Sequence, residues 1–147
     1  MQHEGRPLVL LTDGDERATL AAARSLQAVG ARVLVAARSR ISLAGASRGV
    51  RARQVVSDPL GDPAGFAAEI GRIADEESAG DRCVLIPMTD ATVEAVLSHQ
   101  TALPAHVILP LPSLDQFRAA SDKQGRAPAS SAQYVGNRGC VRNAKTL

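Results

Sequence analysis

The chain has 147 residues, a net charge of +2, 45% apolar residues and 2% aromatic residues. That length fits one domain, and so few aromatics require a core of Leu, Val, Ile and Ala, which suits helices laid close against a sheet. No apolar run reaches the roughly 20 residues of a membrane span, Met1–Leu10 lacks a signal-peptide pattern, and two cysteines, Cys83 and Cys140, make no disulfide framework; these features predict a cytoplasmic protein with no membrane partner.

Strand and helix signals alternate along the chain, which predicts an α/β fold: a Rossmann-like open parallel sheet with helices on both faces. The first strand is Leu8–Leu11, followed by the acidic turn Thr12–Glu16 and an alanine-rich helix. Asp13 or Asp15 is the expected N-cap, since Asp13 and Glu16 have capping-box spacing. Ala18, Ala22, Leu26 and Val29 form the expected apolar face, and Gly30 the stop. The second strand, Arg32–Ala37, has no polar alternation, as expected of a strand buried on both faces.

A loop from Arg38 leads to a short strand, Gln54–Val56. Asp62 and Pro63 then start a helix, as N-cap and first helical residue, with Phe66, Ile70 and Ile73 inward and Gly80 just past its end. Cys83–Pro87 is the next strand. Thr89 or Asp90 caps a helix that buries Val93, Val96 and Leu97. A fifth strand, His106–Leu109, precedes a short helix opened by the Ser113/Gln116 capping box, with Leu114 and Phe117 as its apolar contacts. Residues 1–123 thus form the predicted domain. Residues 124–147 have no periodicity and read as a disordered or non-native basic tail.

Charge is segregated along the sequence. Eight arginines and no acid lie between Glu16 and Asp58, and nine acids face only Arg72 and Arg82 from Asp58 to Glu94. The excess of base sits in the tail, so the chain carries no nucleic-acid footprint. His3, His99 and His106 are scattered without metal-ligand spacing, and no nucleophilic triad can be assembled.

In an open parallel sheet, ligands bind beyond the carboxyl ends of the strands where strand order switches. Two turns are expected there: Thr12–Glu16 and Met88–Asp90. Acids in such a turn repel phosphate and favour an amine, a hydroxyl or a cation, although Asp is also among the commonest helix caps. The stretch GARVLVAARSR is similar to the second strand of NADP-dependent short-chain reductases, where Arg38 would meet the 2′-phosphate. Against this, the first turn has a single glycine, Gly14, and the only tyrosine, Tyr134, forms no Tyr-x-x-x-Lys pair.

The ordered set VLLTDGDERATLAAARSL, SLAGASR, VVSDPL, VLIPMTDATVEAVL, LPLPS and SDK, spanning Leu8–Lys123, resembles the pre-ATP-grasp domain. This N-terminal domain occurs in relatives of the carbamoyl-phosphate synthase large subunit, biotin carboxylase and carboxylate–amine ligases. The resemblance implies one wall of an acceptor-substrate site, with Thr12, Asp13, Asp15, Arg17, Thr89 and Asp90 facing a small amine or carboxylate substrate and Lys123 approaching ATP. It implies ATP and Mg²⁺ as cofactors of the intact enzyme, with none expected for this chain alone. The family continues after the lysine into a long ATP-binding region, whereas this sequence reaches Leu147 without its motifs. The expectation is therefore a domain isolated or truncated before its ATP-grasp partner, inactive alone, with a frameshift or a natural disordered tail as the alternative origins of residues 124–147. Apolar surface near Leu111, Leu114 and Phe117 is expected to be exposed, and homo-oligomerisation could cover it. A stand-alone Rossmann-like nucleotide-binding module or NADP-dependent oxidoreductase using Arg38 is the competing reading.

Overall fold

The computed structural model describes residues 6–122. Lys123, and the tail from 124 to 147 with Tyr134 and Cys140, lie outside the described residues. Five parallel strands form one sheet in the order β3-β2-β1-β4-β5: β1 Leu8–Leu11, β2 Arg32–Ala37, β3 Ala52–Val55, β4 Cys83–Ile86 and β5 Val107–Ile108. Four α-helices accompany them: α1 Arg17–Ala28, α2 Pro63–Ser78, α3 Asp90–Ser98 and α4 Leu114–Ser121. This is the predicted Rossmann-like α/β sheet.

Apart from Arg32 at the start of β2, the central strands β2, β1 and β4 are apolar, because both sheet faces are covered. β1 pairs with β2 from Leu8↔Arg32 to Leu11↔Val35 and with β4 from Leu8↔Cys83 to Leu11↔Ile86. Leu8, Leu10, Leu34, Ala36, Cys83 and Leu85 turn to one face, where Phe66, Ile70 and Ile73 of α2 and Val96 of α3 close the core. Val9, Leu11, Val33 and Val35 turn to the other, against Ala23 of α1 and Ala44 of the β2–β3 loop.

Several local signals act as read. Asp62 Oδ1 accepts from the Gly65 N–H at 2.9 Å, and α2 ends where Ala79 and Gly80 turn left-handed at φ 51° and 88°. Thr89 caps α3 in a reciprocal box with Thr92, and Ser113 does the same for α4 with Gln116.

The N-cap of α1 differs from expectation. Glu16 occupies it, with no side-chain hydrogen bond, and neither Asp13 nor Asp15 caps the helix. The buried face of α1 matches expectation in part: Ala22 and Leu26 pack on the core, but Thr19 and Ala23 are its fully buried residues, whereas Ala18 is exposed and Val29 is 81% exposed. Helical spacing alone cannot choose between adjacent faces of an alanine-rich helix; the Thr19 hydroxyl is buried because it donates to the Thr12 carbonyl at 3.2 Å.

Strand ends shift too. β3 begins two residues earlier than Gln54, and Val56 is buried just beyond it, its N–H donating to the Ala37 carbonyl at 2.9 Å. β4 stops before Pro87, and β5 is only two residues long. Leu111, Leu114 and Phe117 are half-buried rather than exposed. The large apolar side chains exposed among the described residues are Val29, Ile41, Leu43, Val55, Leu60 and Ile108. No helix among the described residues is long and apolar enough to cross a membrane.

Candidate functional site at the carboxyl edge of the sheet

The chain leaves β1 for α1 on one face and β4 for α3 on the other, so the turns after these adjacent strands meet at the carboxyl edge. This is the crevice that parallel sheets offer to ligands.

Asp13 is the hinge of the meeting. Its φ of +54° lies in the left-handed region, uncommon for a residue with a Cβ but tolerated best by Asp and Asn. The turn aims its carboxylate away from the start of α1 and towards the β4–α3 turn. Oδ2 accepts the Thr12 hydroxyl at 2.5 Å and the Thr92 hydroxyl at 2.7 Å. Each hydroxyl has one hydrogen and lone pairs to spare: Thr12 Oγ1 accepts from the Met88 N–H at 3.0 Å, and Thr92 Oγ1 accepts from the Thr89 N–H at 3.1 Å. The Met88 N–H also reaches Asp13 Oδ2 at 3.3 Å. Among the described residues no donor meets Oδ1. The carboxylate is therefore locked through one oxygen, with the other spare.

Gly14 completes the turn by close approach. A Cβ there would lie 2.7 Å from Ser42 Oγ, 2.8 Å from Val35 Cγ1 and 2.9 Å from Ala37 Cβ. Its N–H donates to the Ala36 carbonyl at 3.2 Å, and its carbonyl accepts from the Ala44 N–H at 2.7 Å. The glycine is thus used against the β2–β3 loop.

Three cavities run along this edge. The innermost, about 40 Å³, is lined by Asp13, Asp15, Glu16 and Arg38 over Phe66. A second, about 160 Å³, lies between Asp13, Glu16, Arg38, Asp58 and Thr89. The third, about 290 Å³, continues over Ala91 and Ala95 to His99 and Arg118. Pro59 lines all three, and Leu60 and Ala91 are shared by the second and third. The segment carrying Pro59 and Leu60 is held from behind by Glu69 of α2, whose Oε2 accepts from the Ser57 N–H at 2.6 Å and whose Oε1 accepts from the Ser57 hydroxyl at 3.1 Å.

The residues expected to face substrate are distributed unevenly. Asp13 and Thr89 line the second cavity and Asp15 the innermost. Thr12 is fully buried. Arg17 and Asp90 are exposed at the first positions of α1 and α3 and line none of the three cavities. Lys123 lies outside the described residues. Glu16, within the expected Thr12–Glu16 turn, lines the first two cavities, whereas Asp58, Pro59, Leu60 and His99 are lining residues without an expected site role; the turn-forming SDPL stretch was the available signal for three of them.

The charges favour a cation. Arg38 lies 3.5 Å from Asp58, and Arg118 lies 2.8 Å from Glu94. Asp13, Asp15 and Glu16 have no ion-pair partner among the described residues. The carboxylates of Asp15 and Glu16 beside the start of α1, with that of Asp13 held towards the β4–α3 turn, and a glycine enclosed by its own fold do not fit a nucleotide pyrophosphate or triphosphate. Among the described residues no group of three or more His, Cys, Asp or Glu is placed to hold a metal ion. No protein-family model matches the chain, and comparison with curated proteins and with solved structures gave no match.

Proposed function

We propose that this chain is the substrate-side domain of an ATP-dependent carboxylate–amine ligase of the ATP-grasp type, its carboxyl-edge cleft positioning a small amine while a separate domain handles ATP and Mg²⁺. The observation that carries the reading is the Asp13 carboxylate, bound through Oδ2 by threonines from two crossovers, with no donor to Oδ1 among the described residues and the side chain lining two cavities. A non-glycine residue held at positive φ by an over-determined network is a common signature of functional turns. A carboxylate acceptor at the switch point, with no ion-pair partner among the described residues, is complementary to an ammonium group. Acylphosphate chemistry needs such a group presented in place, and orientation of the attacking amine is a large part of what a ligase provides.

The test is an NMR titration of the full chain. Ethylamine is expected to shift the amides of Gly14, Glu16, Met88 and Thr89, and the effect should vanish in Asp13→Asn, which tolerates the same backbone conformation. Mg-ATP is expected to leave these amides unmoved. Tight Mg-ATP binding by this chain, or NADPH binding lost in Arg38→Glu, would replace the reading with a nucleotide-binding one.

A further inference from the structure

The third cavity has walls of a different character from the acidic end. Pro59, Leu60, Ala91 and Ala95 make its sides apolar, and its far end holds His99 and Arg118. His99 follows α3, and its Nδ1 lies 3.0 Å from the Ala95 carbonyl. A carbonyl only accepts, so Nδ1 carries the hydrogen and, in the neutral ring, Nε2 keeps its lone pair. Among the described residues nothing donates to Nε2. The neighbouring Arg118 donates from Nε and Nη2 to Glu94 Oε1 at 3.0 and 2.8 Å, so its charge is offset. Among the described residues the cleft therefore runs from carboxylates without an ion-pair partner, across an apolar floor, to a hydrogen-bond acceptor that nothing meets.

We propose that the 290 Å³ groove is the tail site for an elongated primary amine. The ammonium sits at Asp13, an unbranched apolar stem crosses Pro59, Leu60 and Ala91, and a hydrogen-bond donor at the far end meets His99 Nε2. The inference rests on the amine reading of the Asp13 cavity and specifies its substrate class: an amine whose second polar group is a donor separated from the first by a methylene chain. A carboxylate tail is disfavoured, because the far end offers an acceptor and an arginine already engaged by Glu94.

Calorimetric titration of the full chain with ethylamine, butylamine, hexylamine and octylamine tests the stem. Each methylene that enters the groove should tighten binding roughly fourfold, until the groove is full. Hexane-diamine and octane-diamine should bind better than the monoamines of equal length, and hexanoate should not bind. His99→Leu should remove the diamine advantage while leaving the methylene increment. Ser98→Trp, at an exposed lining position, should flatten the whole series. Asp13-dependent binding of ethylamine without any dependence on length would overturn the groove proposal and leave the ligase reading standing. Failure of every amine to bind would overturn both. A diamine advantage that survives His99→Leu would remove His99 from the site.

Discussion

The hydroxyl of Thr92, on α3, lies 2.7 Å from Oδ2 of Asp13, in the turn after β1, although 79 residues separate them in sequence. This bond joins the two crossovers that face the cleft. Thr92 is 1% exposed, so an isosteric Thr92→Val removes one of the three donors to the carboxylate, leaving Thr12 and Met88, and removes the acceptor of the Thr89 N–H. A hydrogen bond to a charged group contributes about 1.5–3 kcal/mol, so Thr92→Val should lower stability by about 2 kcal/mol in urea melts. Thr92→Ser, which keeps the hydroxyl, should recover most of the loss. Equal stability of Val and Ser variants would show that the bond is not formed in solution.

Gly14→Ala tests the close approach of the turn to β2. The added methyl meets Ser42 Oγ, Val35 Cγ1 and Ala37 Cβ inside 3 Å, so strand and loop must move. Overpacking of this kind costs about 1–3 kcal/mol. The diagnostic measurement is a double-mutant cycle with Val35→Ala, which vacates one of the three contacts. It should show favourable coupling of at least about 0.5 kcal/mol, as neighbours in contact do. Additive losses would mean that the glycine serves backbone freedom instead of packing.

What the sequence made legible was local. The strand Arg32–Ala37 with its unbroken apolar run from Val33, the Asp62–Pro63 start and the Ser113/Gln116 box each depend on residues within one element, and each appears as read. Asp13 shows where such reading stops. Its spacing to Glu16 matches a capping box, but the competing partners, Thr92 and Met88, arrive only when β1 and β4 pair. The tertiary bonds displace the local one. The site was legible in part for the same reason: its acids follow strand ends, which pattern locates, whereas the Pro59–Leu60 wall and His99 join it only through the packing of α2 against α3. His99 carries no sequence signal of its own.

Cys83, the first residue of β4, links stability to alkaline pH. Burial in the core pushes its thiol from 9.0 up to about 11, against smaller opposing effects of a hydrogen bond from the Leu10 backbone and the Arg32 charge. The folded chain thus holds this proton where the unfolded chain has lost it. The contribution to stability is complete below pH 9 and is lost as pH rises towards 11, by roughly 2–3 kcal/mol in all. Other groups titrate in the same range, so the quantity to measure is the stability difference between wild type and Cys83→Ala at each pH. That difference should fall steadily from pH 9 to 11. A flat difference would mean that the thiolate is accommodated. Thiol reagents should label Cys83 at neutral pH only as fast as the chain opens.

Glu69 is expected to act on the cleft without touching a ligand. It is half-buried on α2, and both its oxygens are committed to Ser57, at 2.6 Å to the amide nitrogen and 3.1 Å to the hydroxyl. Two residues later Pro59 lines all three cavities. Asp58 then folds the segment back on itself, its Oδ1 accepting from the Leu60 N–H and its carbonyl from the Gly61 and Asp62 N–H groups. Glu69→Ala frees the Ser57 end of this segment and leaves its amide without an acceptor, at a cost of about 1–3 kcal/mol. Hydrogen exchange should accelerate at Ser57 and Leu60 while the α3 amides remain protected. Amine affinity should weaken severalfold through a misplaced wall, and Glu69→Gln, which preserves an oxygen for the Ser57 N–H, should lie between. Faster exchange spread evenly over α2 and α3 would instead mark Glu69 as a support of the whole helical layer.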